Sequence, residues 1–238
     1  MNLVVALGKD HPARIVKQVE MTWEGYVALL SKAPESADKA SRGWSCPARF
    51  APAYRDSENL QARYALTLDY DHVTPGQMAR VLADVENRWT HLAYTTWSHT
   101  EKAPRWRIVV PFNRPASYDE FQAVSRRVAG QLGKGIELVA RESHVPAQMM
   151  FLPTVKPGAR QEVLSEVGAP LDVDAVLAEY ADWTDRRQWP RRQDGDSVHE
   201  DGESVDPTTK PGIVGDFCRA YTCEEAIEAF GLPYEKVR

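Results

Sequence analysis

Cysteine is scarce in this 238-residue chain. The three present, Cys46, Cys218 and Cys223, form no CxxC pair and have no set of histidines near them. That argues against a disulfide framework and a four-ligand zinc site, and makes a reducing cytoplasm the expected compartment. Long apolar runs are missing too. None reaches the roughly 18 to 20 residues that a membrane span needs. The opening MNLVVALGKDHPARI has neither the basic start nor the apolar length of a secretory signal. An excess of positive charge is also lacking. The net charge of −5 weighs against tight generic DNA binding. The acid excess is concentrated beyond residue 182, however, so the main body is close to neutral. Acids that sit on metal ions reverse their local effect, and a basic groove on the body stays compatible with this balance. No internal repeat and no His-x-His are present.

What is present suits a folded domain. Hydrophobic residues make up 43% of the chain and charged residues 26%. Residues 2–6 read as a short buried strand and 22–33 as a helix capped by Thr22. Residues 62–72 (ARYALTLDYDH) alternate like a strand and end in acids. Residues 74–89 read as a helix with Thr74 as cap, Pro75 in the first turn and a Met78, Val81, Leu82, Val85 stripe. Two β-rich stretches, 91–100 and 103–112, are joined by the hairpin-sized link Thr100, Glu101, Lys102. Ser117 and Glu120 have capping-box spacing at the head of a helix over 117–132. A short strand at 149–154 and a helix at 171–183 close the main body. Strands and helices mix without strict alternation, so the expected class is α+β. The expected organisation is a main domain over residues 1–183, a charged Gly/Pro-punctuated linker over 184–211, and a short helical segment over 212–238.

Four groups of residues could carry chemistry. Asp69 and Asp71 lie two apart at a strand end, so their carboxylates share a face and repel unless a cation sits between them. A hard divalent ion, Mg²⁺ or Mn²⁺, suits such oxygen ligands. His99 follows a run of hydroxyl residues (Thr95, Thr96, Trp97, Ser98) and could donate to a phosphate oxygen or act as acid or base. Lys102, Arg105 and Arg107 make a plausible triphosphate cradle, with Arg105 and Arg107 on one face of their strand. Glu137 or Glu142 could supply a third carboxylate. Taken singly, each has a bland reading. Asp-x-Asp is common at turns, lone histidines and glutamates are usually structural or solvated, and Lys and Arg guard edge strands against aggregation.

Their order says more. A carboxylate pair, a histidine, a basic return strand and a further acid together describe a two-metal polymerase centre. Through LTLDYDH, TTWSHTEKAPRWRIVVPFNRP and ESHVPAQMMFLPT, with the later KPGIVGDFCRAYTCEEAIEAF, the chain resembles the archaeo-eukaryotic primase superfamily. The resemblance is to the primase-polymerase domains that phages and plasmids fuse to helicases, and it spans roughly 60 to 230. It implies an RRM-like catalytic core, a mixed or antiparallel sheet with flanking helices. The implied activity is primer synthesis or extension on single-stranded DNA in a bacterial host, with nucleoside triphosphates as substrates and a helicase as a possible partner. It implies Asp69 and Asp71 as metal ligands and catalytic residues. It implies His99 on the incoming phosphates, with Arg107, Arg105 and Lys102 near the triphosphate. The family has an aspartate as third acid where this chain offers glutamates; Glu137, in an apolar-then-acid setting, is the first choice and Glu142 the alternative. Trp97, Trp106 and Trp44 are candidate stacking platforms for template bases. The competing expectations are a non-catalytic single-strand or origin-binding module and a metal-dependent nuclease.

Overall fold

The computed structural model describes residues 1–9, 15–193 and 212–230. Two antiparallel sheets organise residues 1–193. The strands in chain order are β1 (Asn2–Gly8), β2 (Lys17–Thr22), β3 (Trp44–Cys46), β4 (Ala48–Phe50), β5 (Leu60–Tyr70), β6 (His91–Thr95), β7 (Trp106–Ala116), β8 (Met150–Phe151) and β9 (Val163–Glu166). The smaller sheet runs β2-β1-β3-β8 and the larger β4-β5-β7-β6-β9. This is the α+β class expected, with antiparallel pairing throughout both sheets.

Period-two alternation along β5 and β7 assigns the two faces of the larger sheet. Leu66, Leu68 and Tyr70 of β5, with Ile108, Val110 and Phe112 of β7, pack into the main core. That core is closed by α2 (Pro75–Glu86), α3 (Tyr118–Gln131) and α4 (Val173–Leu177). The odd-numbered positions face the other way. There Ala65, Leu92, Tyr94 and Val109 meet Leu3 and Val5 of β1 and Trp23, Tyr26 and Leu30 of α1 (Trp23–Leu30). Asp69 and Arg107 share this second face, at the end of their strands.

The helix signals in the sequence act as expected. Thr22 accepts from the Gly25 N–H, and Thr74 and Ser117 form capping boxes with Gln77 and Glu120. Met78, Val81 and Val85 are buried on α2. Several boundaries differ. The strand expected over 91–100 stops at Thr95, and 96–100 is a turn that carries His99 outside any strand. The helix expected over 171–183 is one turn and a half long. Strands β2, β3, β4 and β9 were not expected; β3 and β4 are three residues each, too short for a period.

Residues 184–193, assigned to the linker by composition, pack against the main body. Trp189 is buried in the main core with its indole N–H donating to the Trp183 carbonyl, and Arg192 donates to the Glu137 and Val139 carbonyls. Tryptophan burial and these charged hydrogen bonds outweigh a composition that looks linker-like. Residues 194–211 of the expected linker lie outside the described residues.

The C-terminal unit, described over 212–230, holds α5 (Ile213–Ala220) and α6 (Cys223–Phe230). The helical stretch expected there is split at Tyr221 and Thr222, and Thr222 caps the second helix through Glu225. Phe217, Tyr221 and Phe230 stack with ring centroids 5.3–6.0 Å apart.

Candidate active site

The Asp-x-Asp pair sits where β5 ends. Asp69 is directly opposite Arg107 in the β5–β7 ladder, and Asp71 lies one alternation further on. Each carboxylate meets an arginine from the facing strand. Arg107 Nη2 is 2.9 Å from Asp69 Oδ2, and Arg105 Nη1 is 2.9 Å from Asp71 Oδ1. Two acids and two guanidiniums thus form two cross-strand rungs on one face. The expectation that only a cation makes the close aspartates tolerable is therefore corrected. The arginines supply the opposite charge.

The rungs differ in depth. Arg107 also donates to the Tyr94 hydroxyl and to the Phe151 carbonyl, both on the same buried layer. Burial depresses the Arg107 guanidinium, but the charge of Asp69, helped by Tyr94, outweighs it and the net shift is upward. Burial pushes the Tyr94 hydroxyl up against the pull of Arg107. Arg107 is therefore charged and Tyr94 neutral at any working pH. Asp69 Oδ1 is buried and has no hydrogen-bond partner. A buried carboxylate oxygen left unmet is costly, and a cation or a donating ligand would satisfy it.

A cavity of about 310 Å³ opens over both rungs. Asp69, Asp71, Arg105 and Arg107 line it with Tyr94, Thr96, Trp97 and Ser98, together with Lys39, Glu142, Gln148 and the 149–154 segment. Trp97 is held by its indole N–H on the Ser36 carbonyl at 2.9 Å, with Lys156 Nζ 4.6 Å from its ring centre. Phe151 carries Lys39 over its ring at 5.5 Å. Of the three tryptophans expected as platforms, Trp97 borders the cavity, while Trp44 and Trp106 are core residues, 0% and 5% exposed.

His99 stands beside the cavity rather than on its wall. Its Nδ1 accepts the Arg105 backbone N–H at 3.1 Å, its Nε2 lies 3.5 Å from Glu162 Oε1, and its ring meets Trp106 edge-on at 6.0 Å. In this arrangement the neutral ring carries its proton on Nε2, and the histidine braces the strand that presents Arg105. Lys102 is exposed in the 101–103 bend and is not among the cavity-lining residues.

The two candidate third acids separate. Glu137 Oε1 accepts the Gln193 N–H at 2.6 Å and Oε2 faces Arg192 at 3.7 Å, which ties it to the packed 184–193 segment. Glu142 borders the cavity together with both aspartates. A second cavity of about 290 Å³ continues on the far side of Asp71 and Glu142, lined also by His72, Arg141 and Glu137. The first choice, Glu137, is therefore not brought to the rungs; Glu142 is. Among the described residues no group of three or more His, Cys, Asp or Glu side chains is close enough to hold a metal by itself.

A family model for the VapE N-terminal domain matches residues 47–192. The chain belongs to the VapE N-terminal domain family. The match covers β4 to the 184–192 segment, and so every rung residue and both glutamates of this VapE N-terminal domain. No curated protein matches the chain. A solved structure, the AEP domain (PP-N190) of the cyanophage S-2L primase-polymerase, is similar at a TM-score of 0.44 and 11% identity, over 74% of this chain and 87% of that one. No helix among the described residues is long and apolar enough to cross a membrane.

Residues that sequence reasoning missed are Lys39, Tyr94, Phe151 and Ser143. Lys39 comes from a segment with no motif of its own, and Phe151 and Ser143 lie within the ESHVPAQMMFLPT stretch without being singled out there. Tyr94 alternates with Leu92 on a strand that had been read, so its inward face was accessible to a period-two argument.

Proposed function

We propose that this domain binds a nucleoside triphosphate with a hard divalent cation, Mg²⁺ or Mn²⁺, over the two rungs. With that site it makes or extends primers on single-stranded DNA during phage or plasmid replication. One observation carries the reading: two aspartates and two arginines of facing strands line a single cavity, and one buried aspartate oxygen there is unpartnered.

The residues fit one such ion. Mg²⁺ is commonly held by only one or two carboxylates, with water and substrate phosphates completing its shell, so a three-acid protein cage is not required. Asp69 through Oδ1 and Asp71 would hold it, with Glu142 on the neighbouring wall. A cation there would supply charge that neutralises a triphosphate and favours attack of a hydroxyl on the α-phosphorus, with the bond to the bridging oxygen broken and pyrophosphate leaving. The chain's own groups do the rest. Arg105, part-exposed and paired only to Asp71 through one oxygen, is the guanidinium free to turn to phosphate oxygens. Arg107 stays in place and fixes Asp69. Lys39 adds a cation to the lining, Thr96 and Ser98 border the same space, and His99 holds the Arg105 backbone. The cavity is at the small end of the range for ligand sites, enough for the triphosphate and part of its nucleoside.

Primer synthesis and extension with labelled nucleotides on single-stranded DNA tests this. Asp71→Asn is expected to lower the rate by about a hundredfold or more, from the share of catalysis that charge stabilisation carries. His99→Ala is expected to raise the KM for nucleotide more than it lowers kcat. A wild-type rate unchanged in Asp71→Asn would defeat the catalytic assignment.

A second reading has its own observation. Both aspartates already have arginine partners, and the described residues hold no ready-made three-ligand group. A primase-like fold that grips single-stranded DNA without polymerising would look the same. In that case the assay shows binding of the strand with no nucleotide incorporation at either metal.

A further inference from the structure

We propose that Ser143 is a positioning residue that clamps the Asp69 backbone and sets Glu142 against the same cavity. This deepens the cation-site reading and rests on it.

The need for a clamp follows from the sheet. On one side of β5 the ladder with β7 runs to the strand's end. On the other side β4 pairs only as far as Arg63, so among the described residues β5 beyond Tyr64 has no neighbouring strand there. A strand edge in the interior must satisfy its N–H and C=O groups in another way. At Asp69 both are met by one short segment. The Asp69 N–H donates to Ser143 Oγ at 2.9 Å, and the Asp69 C=O accepts the Ala140 N–H at 2.8 Å. Segment 140–144 thus stands in for a missing strand at a single residue, the one whose carboxylate is deepest in the site.

The segment is itself anchored. The chain leaves α3 through Gly133, whose φ of +62 and close approach to Val81 demand glycine. Ser143 and His144 are both 2% exposed. Ser125 Oγ on α3 lies within hydrogen-bond distance of the Gln122 carbonyl and of His144 Nδ1, each at 3.1 Å. The Ser143 N–H closes a turn on Ala140. Helix α3, the 140–144 turn and Asp69 are linked in series. Glu142, exposed and directly followed by the two buried anchors Ser143 and His144, borders the cavity. Removal of the Ser143 hydroxyl orphans the Asp69 N–H and frees the carboxylate and Glu142 to drift apart.

Mn²⁺ alone, titrated into the full chain and followed by the resonance of the free ion, tests this, together with hydrogen exchange at the Asp69 amide. Ser143→Ala is expected to speed exchange at Asp69 and weaken Mn²⁺ by about tenfold, the usual scale for losing a group that orients a metal ligand. Ser143→Thr, which keeps the oxygen, is expected to restore most of the affinity. Glu142→Gln, at an exposed side chain, is expected to weaken Mn²⁺ without changing exchange at Asp69. Faster exchange in Ser143→Ala with Mn²⁺ affinity unchanged overturns the proposal and leaves the cation site standing. A wild-type protein that binds Mn²⁺ no better than Asp69→Asn overturns the cation site, and the proposal with it.

Discussion

The two rungs of the site are chemically alike and physically different. Arg107 and Asp69 have side chains 9% and 16% exposed; Arg105 and Asp71, one alternation further along the same ladder, are 30% and 33% exposed. The inner pair is joined to Tyr94, the Phe151 carbonyl and the 140–144 turn. The outer pair is part-exposed, and the Arg105 backbone is held by His99 and by the Thr96 N–H. Depth along one strand pair thus separates a charge pair buried in the fold from one that solvent reaches. The same acid, two residues away, has a different job because the low-dielectric interior makes its partner indispensable.

That contrast predicts unequal stability costs. Asp69→Ala leaves Arg107 buried without its counter-charge and is expected to cost about 3–5 kcal/mol in urea unfolding. A loss under about 1 kcal/mol would mean that water reaches Arg107 and the inner rung is not special. Asp69→Ala is consequently a poor test of activity, since its loss of function would mix with loss of fold; Asp69→Asn keeps the shape and a hydrogen-bonding oxygen. Asp71→Ala, at the part-exposed rung, is expected to cost less than about 1 kcal/mol. An equal cost at both positions would erase the distinction between the rungs.

The two glutamates sharpen it further. Glu137→Gln is expected to loosen the 184–193 segment by about 1 kcal/mol, the scale of one charge-assisted hydrogen bond at a part-exposed site, with Mn²⁺ affinity unchanged. Glu142→Gln is expected to reverse that pattern, with the stability unchanged and Mn²⁺ weaker. Thermal unfolding of the two variants beside the Mn²⁺ titration reads both effects.

Much of this was legible before any coordinates. Alternation along 62–72 and 103–112 located β5 and β7, although β5 ends at Tyr70 and β7 runs from Trp106 to Ala116, so that Asp71 and Arg105 lie one residue outside them. Thr74, Ser117 and Thr22 marked helix starts because a side-chain oxygen that meets an orphan N–H is a local signal. Register between strands was not local. Nothing in the two stretches says that Arg107 falls opposite Asp69, so their sequence does not point to an ion pair between them. Glu137 was preferred on its apolar neighbour. That neighbour, Ile136, is indeed buried, but the partner that decides the role of Glu137 is Arg192, far along the chain. Strand β9 escaped notice because all four of its residues are exposed at a sheet edge and show no alternation. Residues 184–193 looked like linker because one buried tryptophan, Trp189, is a weak compositional signal among many charges.

The most direct test of the central claim is calorimetric titration of a nucleoside triphosphate into the wild-type domain and into Asp71→Asn, each with and without Mn²⁺. Nucleotide binding is expected to depend on Mn²⁺ in the wild type and to fall by about tenfold or more, roughly 1.4 kcal/mol, in the variant. Equal binding by both proteins, or binding indifferent to Mn²⁺, would contradict it.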